Sequence, residues 1–370
     1  MNVGILKEIK TEEHRVSMTP SGAAVMKENG HRVWIEKEAG KGSGFDDAMY
    51  VEAGAQLVDT PKEVYDRCEM VMHVKEPLPS EYDWIREGQI IFTFLHLAAM
   101  EELTRVLIKS GSVGIAYETI QTADGSLPLL APMSEIAGRM AVPQGARYLE
   151  KIHGGQGILL GGVPGVDPGT VLVIGGGKVG TNAAKIACGM GAKVYLLDVR
   201  LDRLRYLSDV MPPNCFLLAS SPVTIRKLLT EADIIVGAVL VPGAKAPKII
   251  DREMLKIIKK GAVLLDVSID QGGCFETSKP TTHSDPVFTV DGVLHYCVAN
   301  MPGAVAKTST LALTNATLPY AVEIANKGWK KAFKDNPEIK SGANVVLGKI
   351  TCKGVAEAFG LDWKPIDSLL

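Results

Sequence analysis

Residues 171–199, VLVIGGGKVGTNAAKIACGMGAKVYLLDV, place Gly175, Gly177 and Gly180 as G-x-G-x-x-G directly after a strand-like apolar run and directly before a helix-like segment. That context constrains the fold more than the three glycines do. The first Gly permits a tight turn, the second lets backbone N–H groups approach a pyrophosphate, and the third allows close helix-to-strand packing; the helix amino terminus favours the negative charge. The next apolar run ends in Asp198, eighteen residues beyond Gly180, where a carboxylate can accept from ribose hydroxyls. A plain strand-to-helix turn would leave Asp198 at that place unexplained. Asp198 also repels a 2′-phosphate, so NAD is favoured over NADP, although Arg200 and Arg203 nearby leave the second cofactor open.

Strand-length apolar runs alternate with helix-length segments along the rest of the chain. VGIL (3–6), HRVWIE (31–36), AQLVD (55–59), EMVMHV (69–74), QIIFTFL (89–95) and SVGIAYE (112–118) read as strands, with helices near 61–67, 80–86 and 100–110. PSGAAVMKENG adds a helix with Pro20 at its start and Gly30 at its end. A Pro/Gly-rich stretch (124–134) leads into EIAGRMAVPQGARYLEK, an amphipathic helix that Pro143 is expected to kink. A second alternating series follows, closed by a hairpin in VFTVDGVLHYCV with Asp291 and Gly292 at its turn. Two doubly wound α/β domains with a cleft between them are therefore expected: residues 1–130 plus 305–370 as a discontinuous outer domain, and 131–304 as an inserted Rossmann domain. The tail from Gly303 reads as largely helical.

A length of 370 residues suits two domains of ordinary size. Forty Lys plus Arg oppose 42 Asp plus Glu with no long basic block, which argues against a nucleic acid or an anionic membrane as partner and points to a small-molecule substrate. The six cysteines form no CxxC pair and no Cys/His set, so neither a metal site nor a disulfide framework is expected, and reduced, cytoplasmic thiols are. MNVGILKEIKTEEHR reads as a strand and a charged loop rather than a signal peptide, and no apolar stretch reaches the roughly 18 residues of a membrane span.

Ligands of open α/β sheets bind beyond the carboxyl ends of the strands. Sorted by that rule, the first domain offers Arg15 in the loop after its first strand, Lys75 directly after EMVMHV and His96 directly after QIIFTFL. Singly, the two cations could be solvated loop charges and the imidazole a packed core residue. As a set, two cations could hold a small carboxylate, the Arg in bidentate fashion, and leave His96 to titrate near neutrality. In the second domain Asp270 follows LLDVS and is a candidate partner, unless it caps a turn at Gly272 and Gly273. Asp266, inside the strand, reads as structural.

RVSMTP, MHVKEP, FTFLHLA, VIGGGKVGTNAAKIACGMGA, VSIDQGG and VANMPGAV, taken in order, resemble the alanine dehydrogenase family across essentially the whole chain. The resemblance is shared in part with the nucleotide-binding domain of proton-translocating transhydrogenases and more distantly with saccharopine dehydrogenases, which are the alternatives. It implies NAD-dependent interconversion of L-alanine with pyruvate and ammonia, by a cytoplasmic homohexamer. It further implies Arg15 and Lys75 as substrate contacts and His96 and Asp270 as the catalytic pair. Cofactor contacts would fall on Ser134, Lys178, Val179, Asp198, Arg203, Ser220, Val239, Leu240, Val267, Ser268, Ile269, Asp270, Lys279, Val298, Ala299, Asn300 and Met301.

Overall fold

A computed structural model describes residues 1–239 and 246–370. The chain divides into two compact units, Met1–Met133 with Gly303–Leu370, and Ser134–Pro302. In chain order the first unit supplies β1 (Asn2–Ile5), β2 (Arg32–Glu36), β3 (Gln56–Val58), β4 (Met70–Met72), β5 (Ile90–Thr93) and β6 (Val113–Ala116). The second supplies β7 (Thr170–Ile174), β8 (Lys193–Asp198), β9 (Cys215–Ala219), β10 (Ile234–Gly237), β11 (Val263–Asp266), β12 (Val287–Val290) and β13 (Val293–Tyr296). The chain then returns to the first sheet as β14 (Ala343–Val346) and β15 (Lys349–Ile350).

The first sheet runs β15-β14-β6-β5-β4-β1-β2-β3, parallel from β3 to β6, with an antiparallel pair, β14 and β15, at the β6 edge. The second runs β12-β13-β11-β10-β7-β8-β9, parallel except for β12. The order of parallel strands is the same in both units: counting along each chain segment it is 3-2-1-4-5-6, the doubly wound order whose direction of winding reverses beside the first strand. In the first unit the reversal lies between β1 and β4, in the second between β7 and β10.

Both faces of the second sheet are covered, which is why its strands read as unbroken apolar runs. Val171, Val173, Val194, Leu196, Ile234 and Val236 pack on one face with residues of the helices Ala131–Tyr148 and Lys178–Gly189. Leu172, Ile174, Leu197, Ile235 and Leu264 point the other way, onto the helix Pro222–Leu229 and the segment Met254–Ile258. The first unit has its own core, with Val71, Ile91 and Ala116 from the strands and Leu6 just after β1 against Val64, Leu103 and Leu107 from the helices Pro61–Arg67 and Glu101–Ser110.

Several expectations need correction. QIIFTFL and EMVMHV are strands only over Ile90–Thr93 and Met70–Met72, so His96 and Lys75 each stand three residues beyond a strand rather than at its end. The apolar residues that follow, Phe94, Leu95 and Val74, are buried as loop. The segment near 80–86 is a 3-10 turn, Pro79–Trp84. Helix Ala131–Tyr148 contains Pro143, and the 30-residue helix Ala306–Asp335, read from the sequence only as a helical tail, is broken at Gly328 (φ 69°, ψ 157°). The tail is not all helical, since β14 and β15 are built from ANVV and KI around a left-handed Leu347–Gly348 turn. The expected hairpin turn does form: Asp291 and Gly292 both have positive φ, as a two-residue link between antiparallel β12 and β13 requires.

Candidate active site

In the second unit the chain leaves β7 at Gly175, whose φ of 105° excludes a side chain in practice. A Cβ on Gly180 would stand 1.8 Å from the Gly175 carbonyl oxygen, so helix Lys178–Gly189 can start this close to β7 only with glycine there. Beside Gly177 the Cβ position is open, with no atom within 4 Å. The first-turn amides of this helix have no intrahelical acceptor and carry the positive end of its dipole. The turn thus has the room and the donors that a pyrophosphate needs.

Asp198, at the end of β8, is buried, and its Oδ2 accepts from Gly176 N at 2.8 Å while Oδ1 accepts from Arg200 N at 2.9 Å. An ionised carboxylate has about four acceptor positions, so capacity remains for ribose hydroxyls. Arg203 is tied to the turn itself: Nε donates to Gly176 O at 2.7 Å, Nη2 donates to Thr181 Oγ1 at 3.0 Å, and the guanidinium lies over the Tyr206 ring. Arg203 therefore buttresses the glycine turn and is not a spare cation for a 2′-phosphate. Gly176, which the motif treats as a spacer, proves to be the residue that joins the turn to Asp198.

Most of the remaining cofactor candidates follow the carboxyl ends of β9, β10, β11 and β13. Ser220 N donates to Asp198 O at 3.0 Å. Ser268 Oγ donates to Val239 O at 2.8 Å and accepts from Val239 N at 3.1 Å, while Val267 N donates to Gly237 O. This stitches together the two loops next to the reversal point. Val298 and Met301 are buried, Ala299 N donates to Thr281 O, and Asn300 has a left-handed backbone (φ 55°). Lys178 is exposed at the first position of its helix, beside half-buried Val179, and Ser134 is half-buried on helix Ala131–Tyr148. The Lys279 ammonium sits 4.4 Å over the Phe288 ring. Leu240 lies outside the described residues.

Asp270 is exposed in a 3-10 turn, with Asn300 N donating to Oδ1 at 3.4 Å, next to buried Ile269. It does not cap the glycine pair: Gly272 N and Gly273 N donate to the Ile269 and Ser268 carbonyls. Asp266 is structural, and its buried carboxylate collects Ser268 N, Cys274 N, Phe275 N and Ser278 Oγ.

In the first unit four parallel strands end at one edge, and each is followed by polar groups. After β1, Arg15 is buried (2 % exposed) and bound to Glu13, with Nε to Oε1 at 2.7 Å and Nη2 to Oε2 at 2.5 Å, while Nη1 donates to Met133 Sδ at 3.0 Å. The Nε–Nη2 edge expected to grip a carboxylate is taken by Glu13. Ser17 Oγ donates to Met72 O and Thr93 Oγ1 donates to Lys75 O, which bind the loops after β1, β4 and β5 to one another. Arg15, Lys75 and His96 are thereby brought to the same edge.

His96 is the half-exposed member, with 41 % of its side chain in solvent and Phe94 stacked against the ring. Its Nδ1 donates to Glu76 Oε2 at 3.0 Å, and Nε2 has no partner among the described residues. Its backbone is left-handed (φ 50°), held there by Glu118, which accepts from the amides of both Leu95 and His96. Burial pushes the Glu76 carboxyl upward, but the hydrogen bond and charge of His96, together with the Lys10 ammonium on the other oxygen, outweigh it and hold the group down at about 2. Glu76 is therefore an anion at neutral pH. It fixes the proton on Nδ1 and leaves the lone pair on Nε2, a nitrogen able to accept a proton, as where a carboxylate orients an imidazole. Tyr117, after β6, is buried with its rings edge-on to Phe92 and Phe94, and its hydroxyl has no hydrogen-bond partner among the described residues.

Glu13, Glu76, Glu118 and Tyr117 were missed by the sequence reading. The available signal was that Tyr117 and Glu118 directly follow β6 and that Glu13 and Glu76 stand within two residues of Arg15 and Lys75. No group of His, Cys, Asp or Glu among the described residues has a metal-binding arrangement, and no described helix is long and apolar enough to cross a membrane.

Family models for the N-terminal and C-terminal domains of alanine dehydrogenase/PNT match residues 4–137 and 141–353. The chain belongs to this family. It is 54% identical to the alanine dehydrogenase of Methanococcus maripaludis, with both chains covered in full. Among solved structures it matches an L-alanine dehydrogenase with a TM-score of 0.94 at 49% identity, covering 97% of this chain and 99% of that one. A transhydrogenase from Sinorhizobium meliloti shares the fold, with a TM-score of 0.80 at 21% identity over 95% and 99% of the two chains. Within the family, the dehydrogenase likeness is closer than the transhydrogenase likeness in both sequence and fold.

Proposed function

We propose that this chain is an alanine dehydrogenase that interconverts L-alanine with pyruvate and ammonia. The observation that carries the reading is that close likeness to alanine dehydrogenases runs the full length, through both units; a glycine turn alone would suit any dehydrogenase. NAD, when bound, supplies the hydride acceptor for the amino acid and the hydride donor for its imine. The residues that would hold it are those of the Gly175–Gly180 turn, with Asp198 on the adenosine ribose.

The chain's own groups do the rest. Lys75 stabilises charge on the pyruvate oxygen, and Arg15, with its charge balanced by Glu13, assists with the carboxylate. His96 Nε2 takes and returns the protons exchanged as the imine is hydrated and the carbinolamine collapses, while Glu76 keeps its tautomer fixed. Asp270 steers the attacking water or ammonia. Turnover requires the substrate held by the first unit to reach the cofactor held by the second. The resemblance also supports a cytoplasmic homohexamer.

The test is NADH oxidation with pyruvate plus ammonium, omitting each in turn. Oxidation that needs both supports the reading. NADH oxidation that needs neither pyruvate nor ammonium but only an added oxidised second nucleotide, which accepts the hydride, would favour the transhydrogenase alternative and overturn it.

A further inference from the structure

Directly beside the loop that carries Lys75 and Glu76 lies a second polar cluster that the proposed reaction does not use. His73 is fully enclosed between two carboxylates, Nδ1 standing 3.4 Å from Glu8 Oε1 and Nε2 3.4 Å from Glu81 Oε1, with all three side chains 4 % exposed or less. The same two carboxylates also take backbone amides. Glu8 Oε1 accepts from Val74 N at 2.6 Å and Glu81 Oε2 accepts from Leu78 N at 2.8 Å. The five-residue turn Val74–Leu78 is thus gripped at both ends, and the ring of His73 joins the two grips.

We propose that His73, as an imidazolium, is a positioning residue that locks the Val74–Leu78 turn, and with it Lys75 and the Glu76 partner of His96, in the geometry the reaction needs. This rests on the alanine dehydrogenase reading. Three carboxylates argue for the cation. Glu8 follows β1, Glu81 lies in the Pro79–Trp84 turn, and Glu36 on β2 adds a third carboxylate, itself bound by Lys7 N. Tyr65, from helix Pro61–Arg67, contributes a neutral hydroxyl 3.1 Å from Nε2, and Tyr117 near Glu8 is likewise a neutral phenol. Burial by itself lowers the His73 pKa, but Glu81, then Glu8, then Glu36 outweigh it and the net shift is upward. The sign follows. A group whose folded pKa is raised gives its full stabilisation below the ordinary imidazole range, about 6.5, and loses it as pH climbs through the raised value. The clamp therefore loosens as pH rises through that raised value, above which two buried carboxylates would face a neutral ring.

His73→Asn removes the cation and leaves both carboxylates, whereas His73→Lys keeps a cation that does not titrate near neutrality. We expect His73→Asn to raise KM for pyruvate and lower kcat/KM by about 10- to 100-fold, the scale of a displaced catalytic group, with NADH affinity unchanged. His73→Lys restores most of that loss. The wild type is expected to show an alkaline rise in pyruvate KM that His73→Lys lacks, with both proteins assayed in the same ammonium. In 13C-histidine-labelled wild type, the His73 resonance, assigned by its absence from His73→Lys, titrates above the ordinary range and coincides with that rise. A neutral His73 at pH 7 would overturn the inference. So would a folded His73→Asn with unchanged kinetics, or the wild-type alkaline rise persisting in His73→Lys. If His73→Asn fails to fold, the titration and the lysine variant decide. If the wild type oxidises no NADH with pyruvate and ammonium, the functional reading fails instead, and the resonance still reports the clamp.

Discussion

The two units share one order of parallel strands and use its reversal point in opposite ways. In the second unit the edge beside β7 is made of backbone: glycines with no side chain to obstruct, amides at a helix start, and one carboxylate that braces the turn through Gly176. In the first unit the matching edge beside β1 is made of charged side chains, namely Arg15 on Glu13, His96 on Glu76, and His73 between Glu8 and Glu81. The same fold therefore specifies where a ligand site lies but not what it does. A backbone cradle suits a phosphate-bearing ligand that must be held, whereas paired ionisable groups suit a small substrate whose protons must be moved.

Substitutions on the two sides separate holding from proton transfer. The largest effect is expected from His96→Ala, with turnover reduced more than about 1,000-fold because the substitution removes the solvent-facing Nε2 proposed to move the protons. NADH affinity by fluorescence titration stays as in the wild type, and near-normal turnover would sink the assignment. Next comes Gly180→Val on the other side. A side chain aimed at the Gly175 carbonyl forces the turn apart and weakens NADH binding by at least about 10- to 100-fold; tight NADH binding by this variant would contradict the account of the turn.

Glu76→Gln is expected to cost about tenfold or more in kcat while NADH binding persists, as for the loss of other groups that orient a working imidazole. It also has a stability signature. The folded pKa of Glu76 is depressed to about 2, so its contribution is present above the ordinary carboxylate range and is lost as pH falls from about 4.5 towards 2. The wild type should lose at most about 3 kcal/mol more than Glu76→Gln across that window, measured by urea unfolding. The smallest effect is Asp198→Asn. It keeps a carbonyl for Gly176 N but removes the charge, so NADH affinity falls only about 3- to 10-fold and NADPH is rejected less strongly. Equal discrimination in both proteins would count against Asp198 as the selector.

The backbone-built edge was almost fully legible in the sequence, because glycine spacing and a strand-terminal Asp are local signals. The charged edge was legible only for the residues that stand out by type. Arg15, Lys75 and His96 could be found by position, but Glu13 and Glu76 each adjoin a chosen cation and read as ordinary solvated charges. Glu76 takes its role from partners in other loops, Lys10 and His96, and Glu13 from a fold of its own loop that turns it back onto Arg15. Shorter strands than the apolar runs suggested have a similar cause, since Phe94 and Leu95 are buried by packing without joining the ladder. β14 and β15, of four and two residues, are too short to leave a period in the sequence, and their place beside β6 is set by a chain segment more than 200 residues away.

The left-handed backbone at His96 has an evolutionary consequence. Glycine and asparagine tolerate that conformation better than an imidazole-bearing residue does, so the substitutions that relieve the strain are ones that cannot shuttle protons. Selection for thermal robustness and selection for turnover pull in opposite directions at this codon. A screen for heat-resistant variants is expected to recover His96→Gly and His96→Asn among its survivors, each of them inert.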